Sequence, residues 1–157
     1  MLIIVGEALI DLVIGTDESV EAALGGAPYN TARAAARRGV DVRFIGCLST
    51  DRFGERLAAQ LRAVGVHTDS APRTELPPSL ATAEIGSSGS ATFRFYLERS
   101  SAPALGADPL LAALERARDS RSSDVSSARS EIFFTGGLGL VLEPMADSIA
   151  AAAARLA

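Results

Sequence analysis

The sequence predicts an α/β protein whose core is a parallel β-sheet flanked by helices, and three observations support this fold class. Leu2–Val5 is a continuous apolar run that ends at Gly6, which is typical of a strand buried on both faces. Strand-like and helix-like segments then alternate along the chain, as in parallel α/β sheets. A later apolar run, Ile132–Thr135, adds another core strand.

The first elements after the opening strand are short and extended. Leu9–Ile14 and Val20–Leu24 flank the polar break "GTDES", which is too short for a helical crossover and predicts a hairpin or two short strands. A run rich in alanine and arginine follows from Pro28 to Gly39, where a left-handed helix end is expected. Val40–Ile45 is predicted to be the next core strand.

The same order then repeats. "STDRFGERLAAQLRAVG" offers cap-forming residues before a helix that ends at Gly65. Ala81–Ile85 and Thr92–Leu97 flank "GSSGS", which indicates a second hairpin. Asp108–Arg118 is predicted to be a helix with Asp108 as its cap and Pro109 as its first residue.

The last part of the sequence contains a polar loop, a strand and a helix. "SRSSDVSSARS" is predicted to be an exposed loop because it is rich in serine. A helix begins at Pro144 and continues to Ala157. An alternating chain normally closes such a crossover with another strand, so we expect these 157 residues to be the amino-terminal part of a longer domain.

Composition excludes several classes of function. The net charge is -4, and the fifteen basic residues, all arginine, are spread among nineteen acids, so we expect no nucleic-acid partner. One cysteine, Cys47, and one histidine, His67, provide neither a disulfide framework nor a zinc site. The amino terminus reaches Glu7 and Asp11 too early for a signal peptide or membrane span, so we expect no membrane partner and a cytoplasmic location.

The stretch "LGGAPYN" carries the first indication of a binding site. Gly25 and Gly26 would let a ligand lie against the backbone, and the amide of Asn30 would donate to and accept from a hydroxyl. Asp11 lies among apolar residues, where a carboxylate is costly unless it is paired, and it could clamp two neighbouring hydroxyls. A simple tight turn before a helix remains the alternative for the glycines, and Glu7 is the second candidate acid.

Five segments, in order, resemble the ribokinase or PfkB-type family of sugar kinases. They are "GEALIDLV", "GGAPYNTARAAARRG", "FIGCLSTDRFGERL", "ATFRFYLERSSAPAL" and "IFFTGGLGL". The resemblance implies a ribokinase-like fold in which a small β lid, from strands near residues 9–24 and 81–97, covers a sugar. It further implies transfer of the γ-phosphoryl group of ATP to a sugar hydroxyl, with Mg²⁺. By this resemblance the sugar contacts are Asp11, Gly25, Gly26, Asn30 and, from the lid, Tyr96.

Departures from the family pattern change what is expected of the substrate and of catalysis. Ser49 replaces a common glycine, as in the fructokinase-like branch, and Leu97 and Glu98 replace the tyrosine and arginine of relatives that act on keto acids. A neutral sugar is therefore favoured. No segment matches the family's "GAGD" type, which carries the general base, so we expect no catalytic residue in this chain and no activity of the chain alone.

Two other functions stay open at this point. The chain could be a non-catalytic sugar-binding or assembly module, since lids of this family also pair two subunits in a homodimer. A dinucleotide-binding domain has weaker support, because "GEALIDLV" stands where a glycine-rich phosphate turn should follow the first strand.

Overall fold

The computed structural model describes residues 1–120 and 130–156, and most of the serine-rich segment lies outside this part. The strands are β1 (Leu2–Val5), β2 (Leu9–Ile14), β3 (Val20–Gly25), β4 (Val42–Ile45), β5 (Leu48–Ser49), β6 (Arg73–Thr74), β7 (Ser79–Ile85), β8 (Ala91–Tyr96) and β9 (Ile132–Thr135). The helices are α1 (Ala27–Arg37), α2 (Arg52–Ala63), α3 (Ala107–Asp119) and α4 (Met145–Leu156).

The core sheet has the order β4-β1-β9, and both pairings are parallel. Its central strand is apolar on both faces, and Ile3, Ile4 and Val5 are fully buried. Ile4 belongs to the cluster under α1 and α2, whereas Ile3 and Val5 belong to the cluster under α3 and α4. Helices therefore cover both faces, which confirms the predicted α/β class.

The second sheet has the order β3-β2-β7-β8, and we call it the lid sheet. Both predicted hairpins are present, since β2 pairs antiparallel with β3 and β7 pairs antiparallel with β8. Strands β2 and β7 join the two hairpins in parallel. The chain enters the lid sheet directly from β1, so the first residues of β2 lie close to the carboxyl end of the core strand.

The helix ends follow the sequence with one correction. Gly39 and Gly65 have φ of 79° and 87°, so both helices end at the glycines that the sequence predicted. The cap of α3 is Gly106, without a side-chain hydrogen bond, and Asp108 lies inside the first turn. The prediction of Asp108 as cap was wrong because a carboxylate in the first turn also complements the helix dipole, so sequence alone does not separate the two positions.

Candidate functional site

A cavity of about 410 Å³ lies beyond the carboxyl end of β1, between the amino terminus of α1 and the lid sheet. This is where open parallel sheets commonly bind ligands. Its lining comes from four parts of the chain: the β1–β2 region, the start of α1, strand β8 and the turn at residues 137–140. The lining residues are Glu7, Leu9, Asp11, Gly26, Ala27, Asn30, Phe93, Phe95, Gly137 and Leu138.

The start of α1 forms one wall of the cavity. Gly26 is the N-cap, with φ of 112°, and a Cβ there would lie 2.7 Å from the Glu7 carbonyl oxygen. Glycine is therefore required for the chain to turn from β3 into α1 against this backbone. One turn later, the exposed Asn30 lines the cavity, and its Oδ1 lies 3.5 Å from an Arg33 guanidinium nitrogen that donates to it.

Asp11 reaches the cavity from β2. It is opposite Ala23 in β3, and its carboxylate lies over Gly25, where an added Cβ would overlap Oδ2 and lie 3.0 Å from Cγ. Gly25 thus supports the site by making room for the acid, while Gly26 lines the cavity itself. Burial raises the pKa of Asp11. Within residues 1–120 and 130–156 no hydrogen bond to this carboxylate is found, so its acceptors are available to a ligand.

The lid supplies an aromatic wall that the sequence did not single out. Phe93 and Phe95 line the cavity, although they are 59% and 49% exposed overall. Register explains their position: Phe95 is opposite Ala81 in β7, which is in turn opposite Asp11 in β2. The small side chain between them lets an aromatic ring and a carboxylate face the same space.

Tyr96 is not among the residues that line the cavity. It is opposite Leu80 and is 57% exposed. Alternate residues of a strand face opposite sides of the sheet, so Tyr96 and Phe95 cannot both face the cavity. The aromatic side of the cavity is thus formed by Phe93 and Phe95, and a sugar contact by Tyr96 stays a prediction.

Glu7 is the second carboxylate of the cavity, and unlike Asp11 it is almost fully buried and accepts hydrogen bonds from the protein. It is only 2% exposed, and its two oxygens accept backbone N–H groups from Ala27 at 3.1 Å and Gly139 at 3.0 Å. The sequence ranked Glu7 below Asp11 as a ligand-binding acid. The hydrogen bonds support that order, because the acceptors of Glu7 already serve the protein.

The described residues do not fit a magnesium site. No group of three or more histidine, cysteine or acidic side chains is placed to hold a metal ion in this part of the chain. Of the two acids in the cavity, Glu7 is bound to the backbone, which leaves Asp11 alone. No step of a reaction is therefore assigned to a metal at this cavity.

None of the described helices has the length and apolar character needed to cross a bilayer.

The cavity has a polar side, formed by Asp11 and Asn30, and an aromatic side, formed by Phe93 and Phe95. A sugar ring presents hydroxyls at its edge and C–H groups on its faces, which are complementary to these two surfaces. Fold and site together define an α/β domain with a β lid over a cavity suited to a polyhydroxy ligand.

Comparison with known proteins agrees with this fold. The profile of the pfkB family carbohydrate kinases matches residues 1–118. Fructokinase-1 of Zea mays is 35% identical in an alignment that covers 88% of this chain and 42% of that protein. A fructokinase from Xylella fastidiosa with bound ATP is 32% identical, with a TM-score of 0.62 over 69% of this chain and 36% of that one. An uncharacterized sugar kinase from Pyrococcus horikoshii in complex with ATP is 21% identical, with a TM-score of 0.80 over 99% of this chain and 49% of that one.

The chain belongs to the pfkB family of carbohydrate kinases, and its ribokinase-like fold is the one that the resemblance implied. It spans about two fifths of the length of the curated relatives that it matches.

Proposed function

We propose that this chain is the sugar-binding part of an ATP-dependent kinase that phosphorylates a hydroxyl of a neutral sugar such as fructose. The observation that carries the proposal is the Asp11 carboxylate, which is partly buried in the cavity without a hydrogen bond from the described residues. A carboxylate in such a position gains stability from hydroxyl donors. The fructokinases among the relatives favour fructose as the first sugar to test.

In this proposal the residues have separate roles. Asp11 accepts from two neighbouring hydroxyls, and the Asn30 amide donates to a third oxygen. Gly26 lets the sugar approach the start of α1, and Gly25 leaves room for the Asp11 carboxylate. Phe93 and Phe95 cover the C–H face of the ring and exclude water from it.

The phosphoryl-transfer chemistry is proposed to lie outside this chain. Phosphoryl transfer depends on a positioned base and on charges around ATP and Mg²⁺, and the cavity described here provides neither. The relatives extend well beyond the matched region. We therefore expect the full kinase to bind ATP and Mg²⁺ through further polypeptide in the cytoplasm, and this chain alone to be inactive.

Two measurements on the purified chain test the proposal. Differential scanning calorimetry with D-fructose should show a melting temperature that rises with sugar concentration, because a ligand that binds only the folded state stabilises it. A coupled ADP-release assay with fructose, ATP and Mg²⁺ should show no turnover. Turnover would show that a base and an ATP site lie in this chain, whereas the absence of any shift across a panel of neutral sugars would refute the sugar site.

Matched variants assign the binding to the cavity. Asp11→Ala and Asn30→Ala should abolish the fructose-dependent rise in melting temperature. Asp69→Ala removes an exposed carboxylate outside the cavity and should preserve it. Equal behaviour of Asp11→Ala and Asp69→Ala would remove Asp11 from the site.

A second function, assembly of two copies through the lid sheet, is favoured by one observation. All six residues of the edge strand β8 are exposed, and three of them are aromatic: Phe93, Phe95 and Tyr96. Exposed apolar residues on a sheet edge are typical of protein interfaces. Sedimentation equilibrium should then show a dimer that Tyr96→Arg dissociates, and a monomeric wild-type chain would exclude this function.

A further inference from the structure

We infer that Glu7 is a positioning residue that holds the turn at residues 137–140 against the start of α1 and thereby sets the distance between two walls of the cavity. No part of this role requires Glu7 to touch the sugar. Its consequence for sugar affinity rests on the function proposed above, whereas the hydrogen bonds that carry the inference do not.

Glu7 occupies an unusual position for a carboxylate. It lies two residues after β1, and a charged side chain that is only 2% exposed costs considerable free energy unless its acceptors are satisfied. One oxygen accepts from the Ala27 N–H, and the other accepts from the Gly139 N–H. These donors lie 20 and 132 residues away in sequence, so one carboxylate connects three separate segments.

Both segments that Glu7 holds line the cavity. Ala27 is the first residue of α1, and with Gly26 and Asn30 it forms one wall. Gly137 and Leu138, which precede Gly139 in the turn, form the wall that meets it. A carboxylate between the two donors fixes their separation in the way that outer residues orient the ligands of a binding site.

The turn at residues 137–140 leaves room for the Glu7 side chain. Gly137 has φ of 65°, and a Cβ there would overlap Oε1 of Glu7 and lie 3.1 Å from Cδ. Gly139 is confined by other groups, since a Cβ on it would lie 3.3 Å from the Ile149 Cδ1 and 3.4 Å from the Gly6 Cα. Gly137 of "GGLGL" thus lets the backbone approach a carboxylate, which gives this segment a function although it lacks an aspartate.

Alternative contacts do not account for this arrangement. The N–H groups at a helix start are normally satisfied by a cap side chain, but the N-cap of α1 is Gly26, which has none. Pro28 has no N–H to offer. Glu7 therefore replaces the missing cap from the connection between β1 and β2, and in doing so makes the helix start dependent on the turn.

The experiment uses Glu7→Gln in this chain, with Glu115→Gln as the matched control on the exposed side of α3. Glutamine keeps the volume but accepts at only one atom, so one of the two backbone N–H groups must lose its partner. Amide hydrogen exchange, followed residue by residue by NMR, should then be faster at Gly139 or Ala27. The amide of Leu61, in the core of α2, serves as the reference for global stability, and the increase at Gly139 or Ala27 should exceed any increase there.

The second readout is fructose affinity by isothermal titration calorimetry. Loss of one such hydrogen bond should raise the Kd about five- to tenfold in Glu7→Gln, and Glu115→Gln should match the wild type. Gly137→Ala, which displaces the same carboxylate from the side of the turn, should raise Kd in the same direction. The exchange rates of the sugar-free chain separate positioning from a direct sugar contact by Glu7, because loss of a contact alone would raise the Kd without faster exchange at Gly139 or Ala27.

Two results would overturn the inference. Unchanged exchange at both Gly139 and Ala27 in Glu7→Gln would show that the bridge does not hold the segments. Faster exchange with unchanged fructose affinity would show that the bridge does not position the site. If the wild-type chain binds no fructose, the proposed function fails by itself, and the exchange rates alone then decide whether Glu7 holds the turn.

Discussion

The change Gly25→Ala should weaken sugar binding without disturbing the backbone, because the only obstacle to a methyl group at this position is the Asp11 carboxylate. Gly25 is buried at the end of β3, and its φ is not in the left-handed region, so alanine fits the local backbone. The added Cβ would overlap Oδ2 of Asp11 and lie 3.0 Å from Cγ, where ordinary contacts begin at 3.4 Å. The carboxylate must therefore rotate away from its present position.

The magnitude follows from the hydrogen bonds that the displaced acid would lose. A hydrogen bond to a charged group contributes about 1.5–3 kcal/mol, so loss of one should raise the Kd for fructose about 10- to 150-fold. Isothermal titration calorimetry measures this change directly. Gly86→Ala is the control, since its Cβ would meet only Ser90 atoms at 3.6 Å in the exposed hairpin turn.

A double-mutant cycle shows whether the effect acts through Asp11. In an Asp11→Ala background, Gly25→Ala should cost almost nothing further in affinity, because the group that it displaces is already absent. Two results would refute this reasoning. Gly25→Ala could bind fructose with wild-type affinity, or it could lose the same affinity in the Asp11→Ala background as in the wild-type background.

Three further predictions concern the acid, the core and the lid. Burial raises the pKa of Asp11, so the affinity for fructose should fall as the pH drops through that raised pKa. Above this pKa the ionised carboxylate destabilises the folded state, so Asp11→Asn should raise the melting temperature at pH 7 and abolish fructose binding. Calorimetry at several pH values would measure both effects. Tyr29→Phe removes the hydroxyl that donates to Gln60 at 2.8 Å, so urea unfolding should show a loss of about 1 kcal/mol with unchanged fructose affinity; burial also raises the pKa of Tyr29 to about 12, so this phenol should ionise above the usual tyrosine range. Phe95→Ala should weaken fructose binding and Tyr96→Ala should not, and the opposite order in a titration would restore Tyr96 as the sugar contact.

Much of the fold was predictable from the sequence because its signals are local. The apolar run of β1, the glycines at 39 and 65 and the two hairpin turns each specify structure within a few residues. Asp11 and Asn30 were predictable for a related reason: a lone acid in an apolar strand and an amide after a glycine pair are unusual within their own segments. The structure brings both residues to one cavity.

The remaining features depend on pairings between distant segments. "ATFRFY" has aromatic residues on both faces of a strand, and only the register with β7 decides that Phe95, rather than Tyr96, faces the cavity. The bond between Glu7 and Gly139 spans 132 residues. Nothing within either segment indicates the other, so the turn at residues 137–140 could not be recognised as a wall of the site.

Glu7 and Asp11 lie four residues apart, and the same reasoning assigns them opposite roles. A buried carboxylate whose oxygens both accept backbone N–H groups stabilises the fold that holds them, and this describes Glu7. Asp11 is partly buried, receives no hydrogen bond from the described residues, and has a raised pKa, so its ionised form weakens the fold. A group that costs stability in the free protein and faces a cavity is the one that a ligand stabilises most, which is why Asp11, and not the better-bonded Glu7, is the acid expected to hold the sugar.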